Sequence, residues 1–172
     1  MTNHTNRKRS RILAIAPSSR GFGFAVLEGG ETLVDWGVKS VSGDKNVGTL
    51  KGSETMVGHY KPSVLVLQDS AAKSSRRSSR IRKITKEIAA MATRRKLTVW
   101  LKSRDQMMKA FFADGKGTKH TLAQIIARRF PEELGHRLPP KRRPWESEDY
   151  RMGIFDAVAL AYATELKGKK RC

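Results

Sequence analysis

The side chains with the plainest chemistry in this sequence are its cations. Between Lys73 and Arg104 there are twelve Lys and Arg and one acidic residue, Glu87. At the head of that run, Ser74-Ser75-Arg76-Arg77-Ser78-Ser79-Arg80 mixes guanidinium forks, which grip phosphate oxygens in pairs, with hydroxyls that add neutral contacts. Lys73, Arg76, Arg77, Arg80, Arg82 and Lys83 are therefore candidate nucleic-acid contacts. The whole chain repeats the bias: 35 Lys+Arg stand against 16 Asp+Glu, a net charge of +19 over 172 residues. A field of that sign attracts phosphate backbones. The plainer alternatives are a solvated basic surface and a ribosome-associated protein.

Other chemistries find little support. His4, His59, His120 and His136 stand apart, without the spacing of a zinc site. The single cysteine, Cys172, rules out an intrachain disulfide and a cysteine-based metal site, and the cytoplasm is the expected compartment. No segment approaches the roughly 18 apolar residues that cross a bilayer, so neither a membrane partner nor secretion is expected.

The elements that must position these groups follow from hydrophobic periodicity. Residues 1–10 read as a disordered basic tail, 11–166 as one domain and 167–172 as a frayed basic tail. A buried strand is expected over 11–16, a second over 22–27 and a third from Thr32, with Gly37 the natural place for a bulge, together an antiparallel meander. A helix over 44–60 is weakened by Gly48, Gly52 and Gly58, each costing about 1 kcal/mol of propensity. The apolar run Ser63-Val-Leu-Val-Leu-Gln68 reads as a central parallel strand. Ile81, Ile84, Ile88 and Met91 then mark one stripe of a crossover helix.

A strand over 97–101 precedes Ser103-x-x-Gln106, a capping box that opens a short helix. Gly115 and Gly117 flank Lys116 in a loop, and a helix runs over 118–130. Pro139, Pro140, Pro144 and several arginines mark a loop before a final helix over 147–166. The expected fold is thus a mixed five-stranded α/β sheet, three strands antiparallel and the rest parallel, with helices on both faces.

That order and three local sequences resemble the RuvC family of Holliday-junction-resolving endonucleases, within the ribonuclease H superfamily. The first is Ile12-Leu-Ala-Ile-Ala-Pro-Ser-Ser-Arg20-Gly-Phe-Gly-Phe24. The second is the strand ending Val66-Leu67-Gln68-Asp69. The third combines residues 109–124, with Gly115-Lys-Gly-x-Lys119, and Phe155-Asp156-Ala157-Val158-Ala159-Leu160-Ala161. The resemblance covers nearly the whole chain. It implies a ribonuclease H-like fold, homodimers, four-way-junction DNA as partner and, in members that cut, phosphodiester hydrolysis with two Mg²⁺ ions held by carboxylates.

The resemblance puts Ala16 where the family's first-strand aspartate bridges both metals, Gln68 where a glutamate is usual, and Gly153 where a further ligand is expected. Asp156 matches the family's last aspartate. Asp69, next to Gln68, and Asp149, two turns before Asp156 if the helix begins early, are the candidate replacements. Asp69, Asp149 and Asp156 are thus the candidate metal ligands, with Asp69, Asp156 and Lys119 as the candidate catalytic set. Lys116 and Lys119 are implied phosphate contacts, Lys119 the better match. Where the family carries a stacking aromatic, this chain has Ser70-Ala71-Ala72. The apolar stripe of Ile81 and Ile88 is either a dimer surface or core. Three readings stay open: a DNA-binding protein with an eroded nuclease site, a Mg²⁺-dependent junction endonuclease, and a basic structural protein sharing the fold.

Overall fold

The structure is a computed structural model that describes residues 10–71 and 77–169. Apart from Ser10, the expected tail at 1–10 lies outside the described residues, as do 170–172. Five strands form one sheet in the order β3-β2-β1-β4-β5. β1 (Arg11–Pro17), β2 (Gly21–Glu28) and β3 (Thr32–Ser40) make the antiparallel meander. β4 (Val64–Gln68) and β5 (Thr98–Lys102) add on parallel to β1. The sheet's register shift lies between Val26 and Leu27, not at Gly37. Gly37 instead faces the Phe24 ring, which a Cβ there would approach to 3.1 Å.

Side chains alternate across a strand, and here both faces are buried. Leu13, Ile15, Leu65 and Leu67 pack under α1 (Lys45–Tyr60) and α2 (Ser79–Arg94). Ile12, Ala14, Ala16 and Val66 pack on the opposite face, with side chains of α3 (Arg104–Phe111), α4 (Lys119–Arg129) and α6 (Met152–Lys169). The stripe Ile81, Ile84, Ile88 and Met91 is buried throughout, so it belongs to the core and not to a free dimer surface.

One weak expectation holds and two others need correction in detail. α1 forms in full despite its glycines. Its N-cap Asp44 accepts from the backbone N–H of Asn46 and Val47, at 2.9 and 3.0 Å. Gly48 and Gly52 also let the helix approach the sheet: a Cβ would sit 2.1 Å from Val41 Cγ1 at the first and 2.8 Å from the Phe22 ring at the second. The loop expected after residue 130 contains a short helix, α5 (Pro131–Leu134), with a 3₁₀ turn over Gly135–Arg137. The last helix begins at Met152, five residues later than expected, and continues to Lys169.

A close backbone-to-backbone contact anchors that helix. A Cβ on Gly23 of β2 would lie 2.2 Å from the Gly153 carbonyl oxygen and 2.5 Å from its carbon. Only glycine lets the first turn of α6 lie this close to β2, beside the Ala16–Gly23 pair of the sheet. Three residues along α6, Asp156 comes one turn further on the same side of the helix.

Candidate functional site

A cleft of about 480 Å³ opens at the C-terminal ends of β1 and β3 and the N-terminal end of β2. Ala16 and Gly23 lie at its floor, the turn after β1 and Arg77 on one side, and Lys119, Glu148, Asp149, Tyr150, Gly153 and Asp156 on the other. In β1 and β4 the pair Ala14–Val66 faces α6. Ala16 and Gln68, each two residues on, share that face by the period of the strand. The structure thus brings Ala16 and Asp156 into one cleft, with Gln68 reaching it through Arg77.

The cations in this cleft are already engaged. Lys119 opens α4, where Thr118 and Thr121 cap each other reciprocally and fix the backbone. An ammonium at a helix N-terminus opposes the helix dipole. Here it is compensated by two carboxylates: Nζ lies 3.1 Å from Asp156 Oδ2 and 2.5 Å from Glu148 Oε1. Arg77 Nη2 donates to Gln68 Oε1 at 2.7 Å. Burial pushes the Asp156 carboxyl, whose side chain is 18% exposed, above the usual aspartate range. Lys119 pulls it back down, Glu148 pushes it up again and Arg77 pulls it down, and the net displacement is upward.

Of the other two candidate carboxylates, Asp149 lines the cleft and Asp69 does not. Asp149 precedes α6 rather than riding on it. Arg151 grips it twice, Nε to Oδ1 at 2.9 Å and Nη2 to Oδ2 at 2.7 Å, and the Arg151 backbone N–H also donates to Oδ1. The Arg151 side-chain hydrogen bonds hold its carboxyl below the usual range against the opposing effect of burial, with help from the Arg151 backbone N–H and the charges of Arg151 and Arg20. Asp69 is not part of the cleft lining. Its N–H continues the ladder to the Lys102 carbonyl at 2.8 Å, so the strand end is neither bulged nor bent, and its Oδ1 accepts from the Ala71 N–H at 3.1 Å in a local turn. Adjacent strand residues face opposite ways, and Gln68 has the site side.

These residues do not fit a two-metal centre. At Ala16 a methyl group offers no lone pair. Gln68 presents an amide already bonded to a guanidinium, and Asp156 and Asp149 are each paired with a side-chain cation. Among the described residues no three His, Cys, Asp or Glu side chains converge as a metal site. The expected metal set Asp69, Asp149 and Asp156 is therefore not assembled.

The basic residues divide by role. Arg80 is a brace: Nη1 donates to Asn46 Oδ1 at 3.0 Å and Nη2 to the Ser18 carbonyl at 2.8 Å, tying α2 to α1 and to the β1–β2 turn. Arg82, Lys83 and Lys116 are exposed. Lys73 and Arg76 lie outside the described residues. Glu148 and Arg20 were not anticipated: both sit in loops, where no periodicity marks a site residue.

A five-stranded sheet of this order with helices on both faces, and a cleft at the end of β1, defines a RuvC-like, ribonuclease H-like fold. The RuvC structure from Thermus thermophilus aligns with a TM-score of 0.65 and 14% identity over 93% of this chain and 96% of that one. RuvC of the same organism in complex with Holliday junction substrate aligns at 0.62 and 15% identity, over 94% and 96%. The yeast mitochondrial Holliday junction resolvase aligns at 0.60 and 12%, over 92% and 81%. At this identity the likeness establishes the fold. No protein-family profile matches the chain. No curated protein matches it either.

Proposed function

We propose that this chain is a RuvC-like DNA-binding protein that holds phosphates with fixed side-chain cations and does not hydrolyse them by two-metal chemistry. One observation carries this reading: Lys119 and Arg77 lie against Asp156 and Gln68, the positions at which the resemblance expects metal-binding acids. A phosphate entering the cleft meets ammonium and guanidinium groups already in place, so binding needs no Mg²⁺. Branched DNA, the four-way junction first, is the proposed partner, since a structural relative was solved on a Holliday junction substrate. The net charge of +19 supplies the non-specific part of the attraction. Arg82, Lys83 and Lys116, together with Lys73 and Arg76, are the proposed outer contacts. A homodimer is proposed from the resemblance alone. Among the described residues no helix is long and apolar enough to cross a membrane.

The test is junction binding in EDTA as a function of pH. A group whose folded pKa is raised takes up its proton above the ordinary value, here 3.8. As the pH falls toward 3.8, Asp156 therefore loses its charge earlier than an exposed aspartate, and binding of a polyanion tightens beyond what outlying groups contribute. Asp156→Asn removes that negative charge at every pH. It is expected to bind the junction at pH 7 roughly fivefold more tightly, about 1 kcal/mol for like charges some 4 Å apart under water-like screening, and to show a flatter pH profile. Weaker binding by Asp156→Asn with an unchanged profile would refute the reading.

A further inference from the structure

The loop between the 3₁₀ turn and α6 carries the most exposed large apolar side chain of the described residues. Trp145 is 77% exposed, where a tryptophan would ordinarily bury most of its surface. It is held out by a pinned turn rather than left loose. Pro144 follows Arg143 at the position a β-turn favours for proline, and the Glu146 N–H closes the turn onto the Arg143 carbonyl at 3.0 Å. The Glu146 carboxylate in turn accepts from the Arg143 N–H at 3.0 Å, and Arg142 Nη1 donates to the Glu146 carbonyl at 3.2 Å. The surroundings are cationic: Lys141, Arg142 and Arg143 are exposed, and the Arg143 guanidinium lies 5.8 Å from the Trp145 ring centroid. The same loop runs on to Glu148, Asp149 and Tyr150 in the wall of the cleft, and Tyr150 is itself 55% exposed.

We infer that this loop is a base-stacking platform: Trp145 receives the face of an unpaired nucleobase while Lys141, Arg142 and Arg143 neutralise the flanking phosphates. The inference rests on the nucleic-acid reading above and deepens it, since it names unpaired bases beside a duplex as the feature selected. The physical warrant is the combination of a planar, exposed π-face, guanidinium groups around it and a backbone fixed by proline and three hydrogen bonds. A pre-formed platform loses little conformational freedom when a base stacks on it. A paired duplex, its bases already stacked on one another, offers the ring nothing.

The experiment compares two duplexes of equal length, one fully paired and one with a single unpaired 2-aminopurine in a bulge, binding to the full chain in EDTA. The wild type is expected to prefer the bulged duplex and to change the fluorescence of the 2-aminopurine. Trp145→Ala, at a site too exposed to threaten the fold, should lose roughly 5- to 150-fold in affinity for the bulged duplex. Its affinity for the paired duplex should hold, and Trp145→Phe should recover most of the loss. Equal losses on both duplexes, or no loss on either, would overturn the stacking site while leaving DNA binding intact. A wild type that binds neither duplex would overturn both readings together.

Discussion

Raising monovalent salt from 50 to 200 mM is expected to weaken junction binding about 10³-fold. Each phosphate neutralised by a lysine or arginine releases condensed counterions, and the logarithm of the affinity falls with the logarithm of salt at about 0.9 per contact. Besides Lys119, whose charge Asp156 and Glu148 compensate, six cations are proposed to meet phosphate: Lys73, Arg76, Arg77, Arg82, Lys83 and Lys116. Their combined slope is between 5 and 6, roughly the loss stated. Removing Lys116 or Lys83 should lower the slope by about 1 each. Arg80 behaves differently, because both ends of its guanidinium are spent on Asn46 and Ser18. Arg80→Ala should lower thermal stability and leave the slope nearly unchanged. The measurement is a set of titrations at four or five salt concentrations; a slope below about 2 would show that the basic surface does not track a phosphate backbone.

Gly23→Ala is the second change with a large expected effect. The new Cβ would sit 2.2 Å from the Gly153 carbonyl oxygen and 3.0 Å from the Gly153 Cα, all backbone atoms that no rotamer change can move aside. α6 must therefore shift off β2, at a cost near or above the upper end of ordinary overpacking, about 3 kcal/mol. In a chain of this size that lowers Tm by roughly 6–12 °C. The same shift would carry Asp156 away from Lys119, so the variant should also lose the pH signature of junction binding. Gly58→Ala is the control of opposite sign. Nothing lies within 4 Å of its added Cβ, and Gly58 sits exposed in the last turns of α1. Alanine there should stabilise by up to about 1 kcal/mol. Thermal unfolding of the two variants beside the wild type decides the matter, and similar effects from both would mean that the Gly23–Gly153 approach is not tight.

Much of the fold was legible because its strands and α2 repeat one signal along the chain. Leu13 and Ile15 alternate with Ile12, Ala14 and Ala16, the run from Val64 to Leu67 is apolar without a break, and Ile81, Ile84, Ile88 and Met91 return every three or four residues. The glycines of α1 argued against a helix on propensity, while their use, close approach to Val41 and Phe22, exists only in three dimensions. The start of α6 was misplaced because polar, helix-compatible residues precede Met152. Asp149 and the Arg151 it binds form a local turn there instead.

The site was legible in its members more than in its connections. Asp156 and Lys119 could be named from the chain, yet their pairing joins residues 37 apart in sequence, and no local pattern encodes it. Glu148, the other partner of Lys119, lies in a loop where the sequence suggested the first turn of the final helix. Asp69 misled for a definable reason. It is the nearest acid to the position of Gln68, and proximity in sequence is the wrong measure in a strand, where one residue is a change of face. Arg77 looked like one more cation in a basic run, and its bond to Gln68 separates it from its neighbours.

The most direct measurement is strand scission by purified protein on a labelled four-way junction with Mg²⁺ or Mn²⁺, beside the same mixture in EDTA at matched ionic strength. Phosphates held by Lys119 and Arg77 predict no product with either ion, and equal junction affinity with and without it. Divalent-dependent cutting that disappears in Asp156→Asn would contradict the account, because it would mean that an ion displaces Lys119 and does the work assigned here to the side chains.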